Sequence, residues 1–361
     1  MNETEKKIYD WLCDTESKEI YEARIRFEET YDYRYVQNYI DKYATKYAGK
    51  KWLYLSDSLR NCMSAYSNII VAGAGQRGRA LIQMLREEGY PVLMAVDNGA
   101  GDGYIWDGIE VIKPDKADFG NSCVLVSLSE RGVSEQIAEQ IGTLGVPRED
   151  IFLLADYVYP AEEDARNAYF DREILKYGKS ETFVDCGACD LETSHRFLEE
   201  CIEHHAEQIG VYAFEPDREN YQICMKRMDE LKASGVNVCL FQAGAWSENK
   251  QVSFASGNGA ASKVQENREG LDTIEVVTLD SVIHEKVTFI KMDIEGAELE
   301  ALKGAKNLIQ AYRPKLAICI YHKPEDLTEI PLYIKSLVPD YKLYVRHYSN
   351  NTGELVLYAV I

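Results

Sequence analysis

Positive charge is what this chain has least of: 60 Asp and Glu face 40 Lys and Arg, a formal net charge of −20. That balance excludes nucleic-acid backbone and anionic membrane surfaces as default partners, while a small acidic ligand in a locally different pocket stays compatible. No apolar run approaches the roughly 20 residues that cross a bilayer, and MNETEKKIYDWLCDTESKE lacks a secretion-signal core. Membrane insertion is therefore not expected. The nine cysteines, an odd number, lack the paired spacing of a disulfide framework. Reduced thiols in a cytoplasmic protein are the expectation. Cys186 and Cys189 form a CxxC pair, but no second pair completes a zinc site, and no metal is firmly predicted.

What is present suits a folded protein of more than one core. The hydrophobic fraction is 46%, and 361 residues are long for a single domain. Residues 1–65 read as a helical N-terminal segment. Ile20, Arg24, Phe27 and Tyr31, then Tyr35, Tyr39 and Tyr43, recur at helical steps. That stripe is a packing face, and these helices are a candidate homo-oligomer contact. Residues 66–160 alternate strands and helices, as in SNIIVAGAGQRGRALIQMLREEG, VLMAVDN, SCVLVSLS and IFLLADYVY. This is the pattern of a Rossmann-like parallel sheet. Residues 161–181 form a helical linker, and a second α/β domain occupies 182–361. Its five crossover-linked strands end in the hairpin KLYVRHY–SNNTG–ELVLYAVI, the strand inventory of a class I methyltransferase sheet. The insert KQVSFASGNGAASKV reads as a mobile loop beside the site, and acceptor specificity is expected in its Ser253–Val264 portion and in the N-terminal tyrosines.

Three acidic strand ends dominate the second domain: Asp185 in FVDCGAC, Glu215 in VYAFEP, and Asp293 with Glu295 in FIKMDIEGAE. In a parallel sheet all of them open onto one edge, where ligands bind. A nucleotide-type cofactor fits this layout, S-adenosylmethionine foremost. Asp185, with Gly187 and Ala188 in the following turn, is placed at the cofactor's charged end or orients that turn. Glu215 is placed on the ribose hydroxyls, and Pro216 sets the next helix start. Asp293 would face the transferring methyl or acceptor hydroxyl. Glu295 would orient it or help hold a divalent cation, and His322 would take a proton. Glu298 is as well explained by helix-terminal acidity.

FVDCGACD, VYAFEPD, FIKMDIEGAELEALKGA, ICIYHKPEDL and RHYSNNTGELVLYAV together resemble the FkbM family of S-adenosylmethionine-dependent methyltransferases. The resemblance runs from about residue 180 to the C-terminus. It implies a Rossmann-like methyltransferase fold and methyl transfer, usually to oxygen, on glycan, sugar-nucleotide or natural-product acceptors. One position departs from the family pattern: a second glycine usual in the first loop is Leu191 here.

The first domain carries Gly73, Gly75 and Gly78 between an apolar strand and a helix, with Asp97 ending the next strand. This register suits a dinucleotide or nucleotide sugar, so NAD or a nucleotide sugar is a candidate second ligand. The stretch VDNGAGDGYIWDGIEVIKP is similar to the nucleotide-binding modules of bacterial sugar-modifying enzymes. Two alternatives therefore stand beside methyl transfer. One is a non-catalytic nucleotide-sugar-binding scaffold in glycan biosynthesis; the other is an NAD-dependent oxidoreductase.

Overall fold

The computed structural model describes residues 1–44, 57–101, 103–128, 131–157, 168–255, 263–264, 272–349 and 352–361. The chain divides into two compact units, Arg26–Glu163 and Met1–Ile25 with Asp164–Ile361.

In the unit Arg26–Glu163, the strands run in the order Ile105–Trp106, Ile109–Ile112, Val92–Val96, Asn68–Ala72, Ser122–Val126, Ile151–Leu153. All neighbours are parallel except the first two, which are antiparallel. The near-continuous apolar runs IIVA and CVLV are what a sheet covered on both faces requires. Ile70, Val124 and Val126 lie at the heart of that core with Ile141 and Leu153.

The second unit is built on seven strands: β1 Ser180–Cys186, β2 Gln208–Phe214, β3 Asn237–Phe241, β4 Phe289–Met292, β5 Lys315–Cys319, β6 Lys342–His347 and β7 Leu355–Val360. Their order in the sheet is β3-β2-β1-β4-β5-β7-β6. β1 to β5 pair in parallel, and β7 is antiparallel to both β5 and β6. This is the class I methyltransferase topology with its terminal hairpin. The switch in strand order falls between β1 and β4, so the turns after β1, β2 and β4 open onto one crevice. A stack of Phe170, Phe183, Phe197 and Phe289 fills the core beneath it.

Two expectations meet a different structure. Composition groups residues 1–25 with a segment ending at 65, yet they pack with the C-terminal unit. β6 is an edge strand with unpaired backbone groups. Leu12 bridges to Leu343, and the Cys13 N–H donates to the Leu343 carbonyl at 3.0 Å. Arg346, buried at 3% exposure, reaches Asp14 at 2.7 Å and Asp171 at 3.2 Å. Those partners lie far away in sequence, so composition carries no trace of them. The insert after β3 is likewise not simply a loop. Lys250–Ala255 and Asp272–Val277 pair antiparallel in a four-stranded sheet with Gly244–Ala245 and Lys263–Val264. Residues 256–262, most of the span assigned to acceptor specificity, lie outside the described residues. Ile20, Arg24, Phe27 and Tyr39 of the N-terminal stripe are buried, as a packing face demands. Among the described residues no helix is long and apolar enough to cross a membrane.

Candidate active site

The turn after β1 is fixed from inside. Gly187 has φ +79, and a Cβ on it would stand 2.0 Å from the Asp293 carbonyl oxygen, so no other residue fits between β1 and β4. The N–H groups of Gly187 and Ala188 both donate to the Phe214 carbonyl at 3.1 Å. They brace β1 against β2 rather than pointing outward as a cradle for a carboxylate. Asp185 is wholly buried. Its Oδ1 lies 3.1 Å from Lys291 Nζ, and its Oδ2 accepts from Ser194 Oγ at 2.8 Å. Lys291 Nζ in turn donates to the Gly187 carbonyl at 2.7 Å. Asp185 thus reaches the turn through Lys291 and is itself closed off from solvent. Burial disfavours charge on Lys291, but Asp185 and Asp293 outweigh it and hold the ammonium charged. A lysine in the middle of the apolar strand FIKM was the sequence signal for this pair.

Leu191, where the family pattern has glycine, adopts φ 64 and is wholly buried. The backbone thus keeps the left-handed turn that favours glycine, and the side chain turns into the core.

Glu215 ends β2 at 5% exposure. Its Oε2 accepts from the Cys189 N–H at 2.8 Å and its Oε1 from the Asp217 N–H at 2.9 Å, with Asn220 a further donor. A carboxylate has about four acceptor sites, so one place is left for a ribose hydroxyl where the sequence suggested two. Burial pushes this carboxyl up to about 7, against the pull of those donors. Pro216 carries the chain to Asp217, whose Oδ1 accepts from Glu219 and Asn220 and starts the helix Arg218–Ala233. The remaining acceptor position would take one hydroxyl of a nucleoside, such as the ribose of S-adenosylmethionine.

The turns after β4 and β5 bring the remaining groups together. Asp293 Oδ2 accepts from Tyr169 Oη at 2.8 Å, and Oδ1 accepts from Tyr321 Oη at 3.1 Å. His322 Nε2 stands 3.4 Å from Asp293 Oδ1 and 3.8 Å from Glu295 Oε1, while its Nδ1 is 3.0 Å from Glu298 Oε1. Burial works against Asp293's charge, but Lys291 and His322, then the tyrosines, hold its carboxyl below the ordinary range. Burial also opposes charge on His322, yet Glu298, Asp293 and Glu295 lift the imidazole to about 9. At neutral pH it therefore carries a proton and does not start as the proton acceptor expected of it. Glu298 is one of the acids in the first turn of the helix Glu298–Gly304, and its Oε1 accepts the Ile294 N–H at 2.9 Å.

Two residues of this centre were missed. Tyr169 lies in what reads as linker, and Glu354 in the hairpin loop. Tyr169 Oη is 3.3 Å from Glu354 Oε2, and burial with the nearby Asp293 charge lifts Glu354 to about 7. Tyr169, Glu295 and Glu354 all have left-handed backbones, at φ 72, 56 and 55. Such strain costs about 1–3 kcal/mol per residue and concentrates at functional sites. A cavity of about 670 Å³ adjoins the centre, lined among others by Trp246, Lys250, Glu295, Glu300, His322 and Lys323.

Residues 185–341 match the family model of the methyltransferase FkbM domain. Over those residues the chain is similar to FkbM methyltransferases. Asp185, Glu215, Asp293 and His322 all fall inside that span, whereas Tyr169 and Glu354 lie outside its limits. The chain is 30% identical over 129 residues to hexuronic acid methyltransferase AglP of Haloferax volcanii, across 34% of this chain and 52% of that protein. It thus spans about half the length of that curated relative. A crystal structure of methyltransferase FkbM from Methylobacillus flagellatus aligns at TM-score 0.48 and 23% identity, over 84% of this chain and 94% of that one. A SAM-dependent methyltransferase from Aquifex aeolicus aligns at TM-score 0.29 and 17% identity, over 62% and 97%.

In the other unit, Gly78 is required because a Cβ there would lie 1.8 Å from the Gly73 carbonyl oxygen, and Gly73 has φ +95. A Cβ on Gly75 would meet open space. Asp97 uses Oδ2 on the Ala74 N–H at 2.7 Å and Oδ1 on the Gly99 N–H at 2.8 Å. Its carboxylate thus secures the glycine loop itself.

Proposed function

We propose that this protein transfers a methyl group from S-adenosylmethionine to a hydroxyl of a glycan, sugar-nucleotide or natural-product acceptor. The observation that carries the reading is the meeting, at one edge of a class I methyltransferase sheet, of the Gly187 turn, Glu215 and the Asp293–His322 centre inside the span similar to FkbM methyltransferases. When bound, the cofactor would supply an electrophilic methyl on a sulfonium. Glu215 would hold its ribose with the remaining acceptor site. Asp293, fixed by Tyr169 and Tyr321, would orient the acceptor hydroxyl for in-line approach, with His322 3.4 Å from its Oδ1. Glu354, near neutrality and one tyrosine away from Asp293, has the better-matched basicity for receiving a proton.

A sugar acid is the acceptor best supported. The Haloferax volcanii relative is a hexuronic acid methyltransferase, and Trp246 offers the cavity a ring on which a sugar can stack. Calorimetry with S-adenosylmethionine and S-adenosylhomocysteine, followed by isotope-labelled methyl transfer to uronic and neutral sugars, tests this reading. Binding of both cofactor forms and transfer to a uronic acid are expected. Absence of cofactor binding would overturn it.

A further inference from the structure

We infer that Asp293, Glu298 and His322 form a divalent-cation site whose open positions face the acceptor cavity. One ligand atom from each of the three lies within 4.8 Å of the others. His322 Nδ1 and Glu298 Oε1 are 3.0 Å apart, the separation that two adjacent ligands take around an ion with bonds of about 2.1 Å at right angles.

The second observation is unsatisfied chemistry. Glu298 is 0% exposed, yet its Oε2 has no hydrogen-bond partner; both nitrogens of His322, at 8% side-chain exposure, also lack one in hydrogen-bonding alignment. A buried carboxylate oxygen left without a partner is costly, and two carboxylates facing one imidazole carry net negative charge. A cation at their centre relieves both. Glu298 does stand in the acidic first turn of its helix, but no cap hydrogen bond satisfies its buried Oε2.

Two carboxylates and one imidazole form a mostly hard donor set, suited to Mn²⁺ or Mg²⁺, with Mn²⁺ favoured by the nitrogen ligand. Three protein ligands leave positions for oxygen atoms of an acceptor. His322 and Glu295 both line the 670 Å³ cavity, which gives an acceptor diol or hydroxy-acid access to those positions. The role in acceptor binding rests on the methyltransferase reading, whereas the ion site itself does not.

The test uses the full chain after chelator treatment, titrated with Mn²⁺ alone and followed by the electron paramagnetic resonance signal of free Mn²⁺. One Mn²⁺ per chain is expected. Asp293→Asn, Glu298→Gln and His322→Gln should each weaken it at least tenfold. Glu298→Gln retains an acceptor for the Ile294 N–H, and thermal unfolding of each variant reports whether it folds. No binding to the wild-type chain at concentrations on the order of 1 mM, or equal binding by folded Asp293→Asn and His322→Gln proteins, would overturn the site. Calorimetry with S-adenosylhomocysteine on the metal-free protein separates the two readings. Cofactor binding without any Mn²⁺ site defeats the cation inference alone, and a Mn²⁺ site without cofactor binding defeats the transferase reading alone.

Discussion

At Leu191 two energies of opposite sign meet. Its left-handed backbone costs roughly 1–2 kcal/mol for a residue bearing a Cβ, while removing a wholly buried leucine side chain costs roughly 2–5 kcal/mol. The side chain wins over most of these ranges, so Leu191→Gly is expected to lower stability, by up to roughly 4 kcal/mol, in chemical denaturation. At Asp185 the buried partner decides the outcome. Asp185→Ala leaves the Lys291 ammonium, at 2% exposure, with Asp293 alone to balance it and should cost up to roughly 3–5 kcal/mol. A double variant with Lys291→Met should recover much of that loss, and a double variant no more stable than Asp185→Ala would argue against the pair. Glu215 brings a pH dependence. Its folded-state pKa, about 7, is above the ordinary 4.5. Its contribution to stability of the ligand-free protein is thus fully present below pH 4.5 and lost as pH rises through 7. Ribose binding needs the ionised form, so affinity for S-adenosylmethionine should tighten between pH 6 and pH 8. Calorimetry giving a flat profile would remove Glu215 from the ribose.

Among the elements, the turns after β1 and β4 are locked to each other through Gly187 and the Asp293 carbonyl, and the linker and hairpin loop reach the same centre from outside. Tyr169→Phe deletes one hydroxyl that donates to the half-buried Asp293 carboxylate. Hydrogen bonds to charged groups contribute about 1.5–3 kcal/mol, so kcat should fall about tenfold or more. Cofactor affinity should stay unchanged, because Tyr169 is not among the partners of Glu215. A matching loss of cofactor binding would show that the tyrosine supports the fold and not the centre.

For the molecule as a whole, the boundary of the C-terminal unit matters most. Deleting residues 1–25 uncovers the edge of β6 and leaves Arg346 without Asp14 or Ser17. The truncated chain is expected to unfold several degrees lower by calorimetry, since even 1 kcal/mol shifts a domain of this size by about 2–4 °C. An unchanged transition would show that the N-terminal helices contribute nothing to that unit.

Periodicity made the sheets legible. Apolar runs such as IIVA and KLAIC, alternating with helical stretches, named two parallel sheets, and the short SNNTG connection named the hairpin. Acids at strand ends marked Glu215 and Asp293, because a strand end in a parallel sheet opens onto one edge whatever the rest of the chain does. Local pattern could not fix what each carboxylate faces. Asp185 turned to Lys291 because β1 and β4 are neighbours in the sheet, 105 residues apart at the Lys291–Cys186 contact. Tyr169 and Glu354, 185 residues apart, meet only once the linker and the hairpin close over that edge. Which elements form and which end of the sheet carries acid can be read from the chain alone, since both follow from interactions within a few residues. The tertiary structure decided partners, burial and charge state, because these depend on strand order and on contacts between segments distant in the chain.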